Sequence, residues 1–291
     1  MVYINRGYGK SPISLGVATF DGLNAAGYPY NFFVTSTSSS GADTLTSKPI
    51  NLSYPAVDSI YLSFHFQAQG IGNAPQTEDS LVLEFKSPDS TLWVHAWSKE
   101  GSSLANNDSS WGLAMIPVKH ASFLKKGFQF RFRNYATISG NLDHWNIDNV
   151  YLNRIRTIND TIFNDVSWVY DGESILKNYT HMPWRQFVRS ELKNNIANQL
   201  RNNFTVVKNI SYDYQINNQS AGVIIDSFNG SSNINPFISN ATYTDCDVPS
   251  GCISTVSVDT SAFPSVLTDT TKLAITHYFS SGAFADFSAK N

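Results

Sequence analysis

The sequence predicts an all-β chain: a jelly-roll β-sandwich followed by an Ig-like β-sandwich, joined by a short irregular or partly helical linker. Three observations carry this. Apolar and polar residues alternate in repeated runs through the first half, the period of a strand with one buried face. Charged residues make up only 15% of the chain, and much of the polarity comes from Ser, Thr, Asn, Gln and Tyr, which suit strands and turns. With 291 residues, 42% of them hydrophobic and 13% aromatic, the chain can fill the cores of two domains.

The strands follow in order. Ile60, Leu62, Phe64 and Phe66 alternate with Tyr61, Ser63, His65 and Gln67; Leu81, Leu83 and Phe85 alternate with Val82, Glu84 and Lys86. Leu92, Val94 and Ala96 alternate with Trp93, His95 and Trp97, and Phe128, Phe130 and Phe132 with Gln129, Arg131 and Arg133. Turn-forming stretches such as Gly70–Pro75, Ser87–Ser90 and Ser139–Asn141 separate them. A last strand runs from Trp145 to Leu152. Trp145 and Ile147 share one parity and Val150 and Leu152 the other, which one extra residue near Asp148 and Asn149 explains as a β-bulge. Residues 1–155 are thus read as the jelly roll.

Residues 156–194 read as a linker, with Asp171-Gly172-Glu173 in it and one or two helical turns after Met182-Pro183-Trp184. Strand patterning returns at Phe204 and Val206, then Ile210, Tyr212, Tyr214 and Ile216, the run Val223–Ile225, Ile253–Val258 and Leu273–Phe279. Residues 195–291 match the size of an Ig-like domain. Alternation continues through Phe284 and Phe287 to the end, so this domain is expected to be truncated. The opening residues lack the charged start and apolar stretch of a leader. The chain is therefore expected to be an internal piece, or to have lost its leader.

The formal charge, 20 − 23 = −3, with no long basic block, argues against a nucleic-acid partner. No apolar run is long enough for a membrane-spanning helix. Cys246 and Cys252 bracket Asp-Val-Pro-Ser-Gly. A disulfide closing a turn is the expected reading in an oxidising compartment, against two reduced thiols that lie close by chance. The nine Asn-x-Ser/Thr triplets are what an Asn- and Ser-rich composition produces, and they are not read as glycosylation.

Motifs of catalysis are weak. Gly7-Tyr8-Gly9-Lys10-Ser11 has Ile4 where a phosphate-binding loop needs Gly. Neither a Gly-x-Ser-x-Gly elbow nor a His-Glu-x-x-His pair occurs. None of the five glutamates stands out as a glycosidase acid, and a cross-strand ion pair of Glu84 with Arg131 or Arg133 is preferred. The chain is therefore read as no enzyme, with a hydrolase-associated domain as the remotest alternative.

Two constellations rise above this background. The first is a polar-aromatic strand face of His65, Gln67, Trp93, His95, Trp97, Arg131 and Arg133. On one sheet these would offer indoles to sugar rings and forked donors to their hydroxyls. Coverage by a neighbouring domain, or simple solvation, is the blander alternative. The second is Asp21 near the first strand and Asp148 near the last, which lie side by side in such sandwiches. Two carboxylates there, with Asn149 and loop carbonyls, would suit Ca²⁺. Turn-capping is the alternative.

Phe20-Asp21-Gly22-Leu23-Asn24 with Gly27-Tyr28-Pro29-Tyr30 looks like the first strand of a MAM-like jelly roll. Asp43–Ile50, Glu78–Phe85 and Phe130–Tyr135 resemble its next and middle strands, and Gly140–Leu152, with Ile147-Asp148-Asn149-Val150, is similar to its closing strand. Together they resemble large secreted surface proteins of Bacteroidota, often exported by type IX secretion. The resemblance covers residues 1–190 best. It implies export, surface display, neighbouring β-rich domains in one polypeptide, and a structural Ca²⁺ between first and last strands. It implies a structural or adhesive module contacting a glycan or cell-surface protein, with a carbohydrate-binding module as the alternative.

Overall fold

The computed structural model describes residues 2–34, 39–102, 110–196, 199–237, 256–281 and 288–290. Cys246 and Cys252 lie outside the described residues. The chain is all-β and divides into two compact units, Met1–Thr161 and Ile162–Asn291.

The first unit contains β1 (Tyr3–Asn5), β2 (Val17–Phe20), β3 (Ser39–Thr46), β4 (Ile50–Asn51), β5 (Tyr61–Ala68), β6 (Ser80–Lys86), β7 (Val94–Glu100), β8 (Gly112–Pro117), β9 (Lys126–Thr137) and β10 (Trp145–Asn153). One sheet runs β1-β2-β10-β5-β8 and the other β3-β9-β6-β7, with β4 on β9. Every pairing is antiparallel, and the chain changes sheets as a jelly roll does. The alternation read from the sequence decides what lies between the sheets. Leu62 and Phe64 of β5, Leu81, Leu83 and Phe85 of β6, Phe128 and Phe132 of β9, and Trp145 and Ile147 of β10 form one core. Each such side chain contributes roughly 1.5–3 kcal/mol on burial.

The bulge in β10 falls where the phase slip places it: Asp148 pairs with His65 and Tyr151 with Ser63, and Asn149 has φ +53°. The irregular backbone there is held by Arg156, only 4% exposed. Its guanidinium donates to the Tyr151 carbonyl at 3.0 Å, to Ser63 Oγ at 2.9 Å and to Asp160 Oδ2 at 2.6 Å.

The outer face of the β1-β2-β10-β5-β8 sheet is covered by the chain itself. Lys10 and Gln67 exchange two hydrogen bonds, Trp111 Nε1 donates to the Lys10 carbonyl, and Ser14 donates twice to Asp148. The segment between β1 and β2 is thus strapped across that sheet.

The second unit begins earlier than the sequence suggests. Residues 156–194 are not a free linker: β11 (Val166–Trp168) forms there, and Val166, Trp168, Val169, Ile175, Phe187 and Leu192 are buried. Short 3₁₀ turns at Trp184–Gln186 and Arg189–Glu191 replace the expected helical segment. The remaining elements are β12 (Asn195–Ile196), β13 (Leu200–Asn202), β14 (Lys208–Asn218), β15 (Val223–Ile234), β16 (Val256–Ser257), β17 (Leu273–Ser281) and β18 (Ser288–Lys290). They form a four-stranded antiparallel sheet, β15-β14-β17-β18, and two short pairs, β11-β13 and β12-β16. Trp168 sets the β11 pair against the large sheet, its ring edge-on to Phe279 at 5.1 Å and to Tyr212 at 6.1 Å.

Candidate functional sites

The seven residues of the proposed strand face do not share a face. β6 and β9 hold Glu84 between two guanidiniums: Arg131 Nε lies 2.5 Å from Glu84 Oε2 and Arg133 Nη1 3.5 Å from Oε1. This is the cross-strand pairing expected of these residues. Across the sheet Glu84 also faces His95. Trp93, just before β7, lies under Arg131, whose guanidinium carbon is 4.3 Å from the ring centroid, with Lys86 Nζ at 5.6 Å. Trp93, His95, Arg131 and Arg133 therefore do form one outer surface.

Trp97 does not join them. Leu83 pairs with Trp97 and Glu84 with His95, so Ala96 is an extra residue on β7. This bulge reverses the alternation and sends Trp97 inward. There it lies edge-on to Phe64 at 5.1 Å and tilted against Phe66 at 5.0 Å, both on the facing sheet. His65 and Gln67 belong to β5 in that other sheet, and Gln67 is spent on the strap.

Asp21 and Asp148 do not share a site either. Phe20 pairs with Trp145 and Ala18 with Ile147, so the two aspartates sit at opposite ends of the β2–β10 pair. At about 3.3 Å per residue that separation is far beyond one coordination sphere. Asp148 holds the strap instead, accepting from Ser14 N and Oγ at 2.8 Å each and from Asn149 N at 2.7 Å. Burial raises its pKa, and these bonds oppose the rise.

Asp21 stands in different company. Gly22 lets the chain pass tightly there; a Cβ on it would come within 2.2 Å of the Thr137 carbonyl oxygen. At this end of the sandwich lie Asp43 (1% exposed), Asp79 and Asp143 (both 0%) and Asn134 (0%). Asp43 accepts from Tyr30 Oη at 2.9 Å and from Asp21 N at 3.3 Å. Asp79 accepts from Ser39 Oγ and Gln76 N, and Asp143 Oδ2 from Thr137 N at 2.7 Å. Asn134 Nδ2 reaches the Asp21 and Asp143 carbonyls at 3.3 and 3.4 Å. Among the described residues, Asn134 Oδ1 and Asp143 Oδ1 are buried without a hydrogen-bond partner. Burial, with the charges of Asp143 and Glu78 adding to it, pushes the Asp79 carboxyl up to about 6. Burial, and the charge of Asp43, raise Asp21 as well.

Such a cluster is costly as carboxylates alone, because a buried charge needs a partner. Its oxygens suit a hard cation in chemistry. Among the described residues no three His, Cys, Asp or Glu side chains converge closely enough to hold a metal by themselves. A cation would draw also on Asn134 Oδ1 and main-chain carbonyls. Nothing in the sequence pattern singles out Asp43, Asp79, Asn134 and Asp143 beyond an acidic or amide residue beside each of four separate strand runs.

The second unit carries a cleft of about 880 Å³. Ile175, Phe187, Phe263 and Ile275 give it apolar walls, and Asp171 and Lys272 line it too.

No family model matches the sequence, and no curated protein matches it. Among solved structures, a β-glucuronidase from glycoside hydrolase family 2 aligns at 10% identity with a TM-score of 0.20, over 91% of this chain and 28% of that one. The chain therefore spans less than a third of that enzyme's length.

Proposed function

We propose that the protein is a non-catalytic structural or adhesive module of a secreted or cell-surface protein, its jelly roll locked by Ca²⁺. The observation that supports this is the pair of orphaned buried oxygens, Asn134 Oδ1 and Asp143 Oδ1, among Asp21, Asp43 and Asp79. Ca²⁺ accepts carboxylate, amide and main-chain oxygens in a flexible shell, and extracellular modules bind it at roughly 10⁻⁴–10⁻³ M. A cluster of this kind is cheapest where Ca²⁺ is abundant, which favours the outside of a cell. The carboxyl group with the raised pKa of about 6, Asp79, has no exposed surface, so it suits a structural role better than catalysis. The test is thermal unfolding of the whole chain in EGTA and then in excess Ca²⁺. The reading expects a clear upward shift with Ca²⁺, lost in Asp143→Asn; identical curves would remove the metal.

A second reading, a carbohydrate-binding surface, is favoured by one observation: Trp93, His95, Arg131 and Arg133 share the outer face of the β3-β9-β6-β7 sheet. The facing sheet is closed by its own strap, whereas this one carries an aromatic ring with hydrogen-bond donors around it. Retention on immobilised polysaccharides that Trp93→Ala leaves unchanged would sink this reading.

A further inference from the structure

We infer that the Trp93 face takes an acidic polysaccharide, its carboxylate or sulfate groups lying between Lys86 and Arg133. The inference rests on the carbohydrate-binding reading above and adds the class of glycan.

In cross-strand register, Arg131 and Arg133 of β9 flank Glu84 and Val82 of β6, and Lys86 follows on the same outward parity. Three cations thus surround one carboxylate. Glu84 is committed mainly to Arg131, at 2.5 Å; its contact with Arg133 is long, at 3.5 Å, which leaves most of that guanidinium's donors for another acceptor. Lys86 stands 5.6 Å from the Trp93 centroid and, among the described residues, forms no ion pair with a carboxylate.

The indole is therefore not a bare platform for a neutral sugar. Arg131 lies over it, and a second cation stands beside it. A sugar edge brought to this ring meets positive charge on its flanks, which favours a ring bearing an anionic substituent. Arg133 can grip such a group with two parallel N–H donors. Thr44 and Thr46, opposite Arg133 and Arg131 on β3, and Ser98, opposite Val82 on β7, place hydroxyls along the same rows for the sugar's own hydroxyls. The whole chain has a formal charge of −3, so net charge offers a polyanion no overall attraction; the attraction would come from this patch.

The test is affinity electrophoresis of the intact chain in gels containing polygalacturonate, dextran sulfate or a neutral glucan or galactan, at low salt and with about 0.5 M NaCl. The inference expects retardation by one or both acidic polymers, weakened about tenfold by the salt. It expects a several-fold loss in Lys86→Gln and Arg133→Gln, each checked for unchanged thermal unfolding. Retardation by polygalacturonate alone assigns the anion as carboxylate, and by dextran sulfate alone as sulfate. Retardation by neutral polymers equal to or above that by acidic ones, or indifference to salt and to both variants, overturns the acidic class and leaves the carbohydrate reading standing. Retardation by no polymer at all overturns both.

Discussion

Asn134 and Asp143 are joined by a hydrogen bond from Asn134 Nδ2 to the Asp143 carbonyl at 3.4 Å, and each leaves one buried side-chain oxygen unpartnered. Two acceptors without a donor among the described residues, in the company of three more carboxylates, are a deficit that the proposed Ca²⁺ would remove. Asp79→Asn separates this from simple repulsion. In EGTA the variant is expected to unfold at the same or a higher temperature than the parent, because a buried charge is gone. In Ca²⁺ it is expected to lose most of the parent's stabilisation, about 2.7 kcal/mol at a hundredfold excess over Kd.

The pH dependence follows from Asp79. Its folded pKa, about 6, lies above the ordinary 3.8, so the folded protein holds this proton more tightly than the unfolded chain. The contribution is fully present below about pH 4 and is lost as pH rises through about 6. Asp21 and Asp148 are raised too and act in the same direction. Urea unfolding in EGTA should therefore show less stability at pH 7 than near pH 5, by about 1 kcal/mol from Asp79. Ca²⁺ should flatten or reverse that slope.

Trp97 and Trp93 should part company under mutation. Trp97→Ala removes a ring packed between Phe64 and Phe66 and is expected to cost about 3 kcal/mol in urea unfolding. Trp93→Ala, on the outer surface, should cost under about 1 kcal/mol and act on glycan retention instead.

Arg156→Met should destabilise the first unit by about 3 kcal/mol, since Ser63 Oγ loses its donor and the Tyr151 carbonyl keeps only the long 3.4 Å bond from Ser63 Oγ. Arg156→Lys should recover only part of this, as one ammonium cannot span the acceptors a guanidinium reaches. Chemical denaturation of both variants checks it.

In the second unit, Trp168→Ala should cost about 3–5 kcal/mol, with loss of the near-ultraviolet dichroism of a packed indole.

The jelly roll was legible because each inward row repeats at period two, from Leu62 and Phe64 to Phe128 and Phe132. The β10 bulge was legible as well, since apolar residues flank it on both sides and show the change of parity. The β7 bulge was hidden: Trp93, His95 and Trp97 keep perfect spacing, and only the partner strand shows that Ala96 is extra. Sheet membership was equally silent, so His65 could not be told from His95. The acidic cluster escaped because Asp21, Asp43, Asp79 and Asp143 are brought together by four crossings of the sandwich. Residues 156–194 misled for another reason: their buried side chains are irregularly spaced, as segments without long strands are.

The position of Ala96 has a consequence for association between molecules. Among the described residues β7 ends its sheet, and an edge strand carries a row of backbone donors and acceptors on which another chain could pair. A regular strand would be a template for growth, copy upon copy. The extra residue breaks the spacing of those groups and twists the border, and Lys99 and Glu100 add charge beside it. The residue that turns Trp97 into the core thus also breaks the regular backbone ladder that edge-to-edge pairing would need.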